Sequence, residues 1–163
     1  MTINYRQGAI GALLDEYERA LGDLKKVIGD LPDNALTVIV DPQTNDDNCR
    51  SVQTVLSHVV HSGFGYATSI SNLKGHNKVR PEKTFHVTVA EYLGDLDSVF
   101  DLTEKVFSEF KDDELEQFDN SLKIKARWGQ VYDIEQMMEH AIVHILRHRR
   151  QIEKFKRRLS ANN

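Results

Sequence analysis

The stretch from Val131 to Leu159 constrains the fold most, because its apolar residues recur at alternating steps of three and four. That period places them along one side of an α-helix, as in a helix packed within a bundle. They are Ile134, Met138, Ala141, Ile145, Ile152, Phe155 and Leu159. One position on this apolar side carries a histidine, His148. The pattern therefore predicts a long helix with a histidine on its buried side.

Two further histidines, His144 and His140, precede His148 at intervals of four residues. Residues four apart lie on neighbouring turns of one helix face, so His144 and His148 can share an ion. A lone histidine on an apolar face is usually a hydrogen-bonded core residue, and such pairs also occur on surfaces by chance. The repeated spacing favours metal binding by His144 and His148. A catalytic zinc-like site usually takes three protein ligands, so a third ligand must come from elsewhere in the chain.

Length, charge and cysteine content narrow the class of protein. The 163 residues suit a single domain, taken as residues 1–163. A net charge of −4 gives no electrostatic reason to bind nucleic acid or an anionic membrane, so we expect neither as a partner. The basic residues near the C-terminal end of the last helix complement its dipole instead. A single cysteine, Cys49, a polar N-terminus and the lack of any apolar run of membrane length predict a cytoplasmic protein.

Three more amphipathic helices are predicted, over residues 8–31, 51–73 and 88–110. Ser51 is a candidate N-cap for the second of them. Thr88 and Glu91 have the spacing of a capping box at the start of the third.

Connections rich in turn-forming residues separate these helices, over 32–50, 74–87 and 111–130. His86 lies in the second connection and is predicted to be solvent-exposed. With the last helix over 131–159, the pattern predicts an all-α protein: an antiparallel four-helix bundle with long connections.

The remaining histidines decide which metal chemistry such a bundle can hold. Di-iron bundle sites need Glu-x-x-His pairs, and no histidine here has a glutamate three residues before it. A mononuclear, histidine-rich site remains. In the second helix, His58 lies off the centre of the apolar stripe, and the pattern alone leaves open whether it binds metal or solvent. For His61 the pattern favours a solvated surface position.

The second and last helices resemble the DinB-like superfamily of metalloenzymes, which includes thiol transferases that use bacillithiol or mycothiol. Members have a four-helix bundle, one metal-binding histidine in the second helix and a His-x-x-x-His pair in the last. Residues 51–58, SVQTVLSH, match the second-helix pattern and put His58 in the ligand place. Residues 144–151, HILRHRRQ, resemble the family ending His-x-x-x-His-Arg-Gly-Gln, with Arg150 where glycine is common. The resemblance covers nearly the whole chain and implies His58, His144 and His148 as metal ligands.

The chemistry that follows is activation of a nucleophile at a divalent ion, with zinc or nickel expected because imidazole suits both. Three neutral imidazoles leave such an ion its full charge and an open position, where it lowers the pKa of a thiol or water. We expect a low-molecular-weight thiol, or water, to be transferred to an electrophilic small-molecule substrate. Gln151, about one turn past His148, is expected to orient that ligand or to touch substrate. The alternative is a metal-binding or stress-response interaction protein without turnover.

Other residues near these motifs have simpler interpretations. Tyr66 and Trp128 are expected to pack in the core in preference to lining a pocket. Cys49 is expected to be incidental. His61 and His140 are extra histidines that leave the ligand assignment open. Broad apolar helix faces in a small bundle, together with the resemblance, predict a homodimer.

Overall fold

The structure, a computed structural model, describes residues 5–161 of the chain. Its helices are α1 (Gly8–Ile28), α2 (Val52–Asn72), α3 (Val89–Phe107) and α4 (Ile134–Ala161). A two-stranded antiparallel sheet, β1 (Ile124–Lys125) with β2 (Val131–Tyr132), precedes α4. The all-α four-helix bundle is therefore confirmed. The domain predicted over residues 1–163 extends beyond the described residues at both ends.

The starts of the helices follow from capping interactions. The Ser51 side chain accepts a hydrogen bond from the Thr54 backbone N–H at 3.1 Å, and Thr88 and Glu91 form the predicted capping box. Helix α4 begins later than residue 131, because Asp133 caps it. The Asp133 carboxylate accepts from the Gln136 backbone N–H at 2.9 Å, and the Gln136 side chain accepts from the Asp133 N–H at 3.1 Å. The two residues before Asp133 pair in β2 instead.

Helices α2 and α4 are antiparallel neighbours, whereas α2 and α3 run parallel. Ser57 contacts Tyr92 near the start of both α2 and α3. The ring of His58 lies near that of His148, and Tyr66, two turns further along α2, lies near His140, two turns earlier in α4. The direction of α2 relative to its two neighbours follows from these pairs.

Helix α1 completes the bundle by packing mainly against α3 and α4. Arg149 contacts Asp23 and Lys156 contacts Val27, so α1 and α4 run parallel. The salt bridge from Arg6 to Glu104 joins the start of α1 to the end of α3, which makes that pair antiparallel. The predicted antiparallel arrangement thus holds for α1 with α3 and for α2 with α4. The other two neighbouring pairs are parallel. The connection after α2 returns along the bundle, so α3 keeps the direction of α2, and α4 then runs opposite to both and parallel to α1.

Residues 78–86, the returning segment, lie along α2 and carry the chain back to the start of α3. The Lys78 N–H donates to the Asn72 side chain at 2.7 Å, and the Gln53 side chain donates to the His86 carbonyl at 2.8 Å. The prediction of an exposed His86 is wrong. This side chain is half-buried, with its Nε2 atom 2.6 Å from the Asp95 carboxylate, because the segment is held against the bundle.

Side chains from all four helices fill the core. The apolar side of α4 is buried as its period indicates, with Ile134, Met138, Ala141, Ile145, Ile152 and Phe155 at most 4% exposed. His148 lies on the same side and is 3% exposed. The core thus contains the polar imidazole ring of His148, which needs polar partners there.

Among the helices described, none combines the length and the apolar character that crossing a membrane requires.

Candidate metal centre

Three histidines from two helices converge where α2 meets α4. One ring nitrogen of each of His58, His144 and His148 lies within 4.8 Å of the others. The Nε2 atoms of His58 and His144 are 2.9 Å apart, and the ring centroids of His144 and His148 are 4.5 Å apart. Two nitrogens that bind one ion at 2.0–2.2 Å must lie within about 4.2 Å of each other. The His58–His144 distance meets that condition.

The position of His58 follows from the two neighbours of α2. Ser57, the preceding residue, faces α3 and hydrogen-bonds to the Tyr92 hydroxyl at 2.6 Å. His58 is turned about 100° from Ser57 and therefore faces α4, where it is half-buried. A residue off the centre of the apolar stripe thus lies at the α2–α4 edge, level with His144.

The environment keeps these three imidazoles neutral. Burial, together with the charges of the neighbouring histidines, lowers the pKa of His58 to about 4 and that of His144 to about 2. Burial is also the main cause of the lowered pKa of His148. At neutral pH all three rings are uncharged, which is the form that binds a metal ion.

Gln151 determines which nitrogen of His148 is free. The Nδ1 atom of His148 donates to Oε1 of Gln151 at 2.9 Å, because an amide oxygen only accepts. The lone pair of His148 is therefore on Nε2 and available to an ion. Gln151 thus lies beside His148. The Nδ1 atom of His144, in contrast, is buried without a hydrogen-bond partner in the described part of the chain.

The donor set fits a single divalent ion. Within residues 5–161, no carboxylate or thiol joins the three histidines as a member of the cluster. Three neutral nitrogen donors suit zinc and the neighbouring transition metals, and three protein ligands leave at least one coordination position open.

His140 and Trp128 form a stacked pair beside the cluster. Their ring centroids are 4.9 Å apart with an interplanar angle of 20°. Trp128 is 49% exposed, so the expectation of core packing is wrong for this residue, because it lies in the β1–β2 turn outside the core. Tyr66 does pack in the core, although it also lines a cavity beside α2, and its ring centroid is 5.9 Å from that of His144. His140 lies outside the three-histidine cluster.

His61 also lies outside the cluster, but it is half-buried. Burial is the main cause of its lowered pKa, and the nearby Arg80 lowers it further. The expectation of a solvated surface position is wrong, because the returning segment covers this side of α2.

Two charged residues near the cluster were not singled out from the sequence. The Asp46 carboxylate raises the pKa of His58 and His148, and the Lys83 ammonium lowers that of His58. Asp46 belongs to the long 32–50 connection, and the length of this connection is the one feature of the sequence that indicated a functional role there. Nothing in the sequence around Lys83 indicated its place, since the returning segment reaches the site only through tertiary contacts.

Fold and site together define a four-helix bundle whose second and last helices present a three-histidine cluster suited to a metal ion. The model of the DinB family matches residues 5–159, and the chain belongs to this family. The resemblance seen in residues 51–58 and 144–151 is thereby confirmed. A comparison with curated proteins found no match.

Proposed function

We propose that this protein is a mononuclear metal-dependent enzyme that activates a low-molecular-weight thiol, or water, at His58, His144 and His148. The nucleophile would be transferred to an electrophilic small molecule. The proposal is supported by the convergence of three neutral imidazole nitrogens within 4.8 Å of one another. Zinc or nickel is the proposed ion, because imidazole is a good ligand for both. A cytoplasmic location, where thiols stay reduced, is part of the proposal.

A bound divalent ion would supply one kind of chemistry, lowering the pKa of a thiol or water in its open position. The chain's own residues prepare the site. Burial holds His58 and His144 unprotonated at neutral pH. Gln151 keeps the proton of His148 on Nδ1, so that Nε2 points its lone pair away from the hydrogen bond.

The thiol in this proposal is a free small molecule and not Cys49. Burial raises the pKa of the Cys49 thiol, so Cys49 stays protonated at neutral pH and is a poor nucleophile. Its sulfur lies 3.8 Å from Oε1 of Gln151 and 3.5 Å from Oδ2 of Asp46, and either oxygen can accept its single proton. These contacts favour a positioning role beside Gln151.

The test combines metal analysis with a transfer assay on the purified protein. We expect about one ion per chain in the wild type and none in His148→Ala, measured by plasma mass spectrometry. A panel of small thiols with a chromogenic aryl halide then measures conjugation. Metal-dependent conjugation, or hydrolysis of an activated ester, that is lost in His148→Ala and kept in His61→Ala supports the enzyme.

The alternative, a metal-binding interaction protein without turnover, is favoured by one observation. Tyr66 lines a cavity of about 370 Å³, and the wall of this cavity does not include the three histidines. Cobalt substitution separates the two functions, because visible absorption bands report the coordination of the ion. A spectrum that changes on adding a thiol supports the enzyme, whereas a spectrum indifferent to thiols at millimolar concentration supports the alternative.

A further inference from the structure

A cavity of about 370 Å³ lies between α2, the returning segment and the β1–β2 hairpin. Four cations line it: Lys78, Arg80, Lys125 and Arg127. None of the described residues that line it is a carboxylate, although the chain as a whole has 25 acidic residues against 21 lysines and arginines. The rest of the polar wall is neutral and includes Ser62, Thr68, Ser69 and Asn72. This concentration of positive charge is opposite to the net charge of the protein.

The four cations form no salt bridge in the described part of the chain. Among the residues described, none of them lies within 4 Å of a carboxylate, and every salt bridge involves other residues. Burial is the main cause of the lowered pKa of Arg80, and the charge of Arg127 lowers it further. Two guanidinium groups thus face the same space and repel each other, and an anion between them would relieve that repulsion.

Gly65 gives Arg80 its place in the wall. A Cβ atom at position 65 would come within 2.9 Å of both Cδ and Nη1 of Arg80. The missing side chain therefore lets Arg80 lie flat against α2 and present its guanidinium to the cavity.

The cavity adjoins the histidine cluster through two aromatic residues of its wall. Tyr66 lines the cavity, and its ring centroid is 5.9 Å from that of His144. Trp128 lines it as well and stacks on His140, the residue one turn before His144. A molecule held in the cavity would therefore be separated from the cluster by a single layer of rings.

We propose that this cavity binds the oxyanion group, carboxylate or phosphate, of a small organic molecule, with Arg80 and Arg127 as its main contacts. A guanidinium pairs with two oxygens of either group at once, which a lysine ammonium cannot do. The further step, that such a molecule is the substrate of the metal centre, rests on the proposed function. Binding of the anion itself requires no metal.

Trp128 provides a direct test because it is the only tryptophan of the chain and lines the cavity. Metal-free protein is titrated at low ionic strength with succinate, with inorganic phosphate and with neutral succinamide, while tryptophan fluorescence is recorded. We expect a saturable change with at least one anion and none with succinamide. Succinate and phosphate, run separately, show which oxyanion is preferred. No saturation with either anion overturns the proposal.

Charge variants locate the binding. Arg80→Gln and Arg127→Gln are each expected to raise the Kd of the anion about tenfold. Lys26→Gln removes the same charge from an exposed position on α1, outside the cavity wall, and is expected to change the Kd less than twofold. An equal rise in Kd in all three variants would mean that the overall charge of the protein attracts the anion, and it would overturn the proposal.

A glycine pair tests the geometry without changing any charge. Gly65→Ala should displace Arg80 and raise the Kd several-fold. Gly94→Ala, on α3, meets no atom within 4 Å and should leave the Kd unchanged. Circular dichroism of both variants checks that the helices are intact. A Kd unchanged in Gly65→Ala would contradict the assignment of Arg80.

The outcomes separate this inference from the proposed function. If metal-free protein binds the anion but metal-loaded protein transfers no thiol, the proposed function fails and the anion site stands. If transfer is metal-dependent but anions neither saturate the fluorescence nor compete with substrate, this inference alone fails.

Discussion

The Nε2 atoms of His58 and His144 lie 2.9 Å apart, although 86 residues separate the two histidines in the chain. Two neutral rings at this distance can share one proton in a hydrogen bond, and an ion bound by both would take its place. The pair is held by the packing of α2 against α4 and not by a local loop. Removing one ring should therefore affect the ion much more than the fold.

His148→Ala is expected to abolish stoichiometric metal binding while leaving the helical content largely intact. The variant removes one of three donors, and the bundle keeps the apolar side of α4. Plasma mass spectrometry measures the metal and circular dichroism the fold. His61→Ala is the matched control and should retain the metal. If His58→Ala keeps full metal and His61→Ala loses it, the ligand assignment is wrong.

Gln151→Ala is expected to weaken metal binding about 10- to 100-fold, because it removes the acceptor that orients His148. Competition with a chromogenic chelator measures the affinity. Lys154→Ala changes an exposed residue nearby in α4 and should have little effect. An unchanged affinity in Gln151→Ala would show that the Nδ1 hydrogen bond has no role in binding.

Metal-free protein is expected to lose stability as the pH falls from about 6.5 towards 4. In the unfolded chain a histidine has a pKa near 6.5, whereas the folded pKa is about 4 for His58 and about 2 for His144. The unfolded state thus binds more protons in this window, and acidification favours it. Urea unfolding at pH 7, 6 and 5 measures the effect.

The double variant His58→Asn with His144→Asn is the control for this pH dependence. It should show a shallower decline in the free energy of unfolding over the same window, because it lacks the two groups that titrate differently in the two states. An identical decline in both proteins would assign the pH dependence to other groups. Metal affinity of the folded protein should fall only at lower pH, as the pH approaches the folded pKa of His58 near 4, since protonated imidazole cannot bind an ion.

Gly63→Ala is expected to destabilise the bundle by about 1–3 kcal/mol, because a Cβ atom there would meet Val99 Cγ1 at 2.6 Å in a close-packed core. Gly22→Ala, where a Cβ atom meets nothing within 4 Å, should stabilise α1 by up to about 1 kcal/mol. Urea unfolding measures both. A stabilising Gly63→Ala would mean that α2 and α3 can separate without loss.

A homodimer stays a prediction for the assembly in solution. Exposed apolar side chains on the connection after α1, such as Val38 and Ile39, are surfaces that a second copy could bury. Sedimentation velocity at tens of micromolar protein measures the state directly. A single monomeric species under those conditions would contradict the prediction.

The helices could be predicted because each one depends on local information. The period of apolar residues and the capping pairs at Ser51 and Thr88 act within a few turns, and the helix bounds agree with them closely. The start of α4 was predicted too early, at residue 131, because the helical period of the apolar residues extends back to Val131. In the structure the helix begins after the Asp133 cap, and the residues before that cap pair with β1 as strand β2. The relative directions were predicted correctly for two of the four neighbouring helix pairs, because the path of a long connection has no periodic pattern in the sequence.

The sequence alone determined the bundle and the His144–His148 pair, because spacing within one helix decides which residues share a face. Family resemblance, and not the helical pattern, pointed to His58. Only tertiary structure decided that His58 faces α4, since the helices that pack on both sides of α2 are needed to orient α2. Tertiary structure alone also brought Arg80 and Arg127 to one cavity, because the returning segment and the hairpin that carry them have no fixed period. Contacts between segments far apart in the chain depend on packing, which no local pattern records.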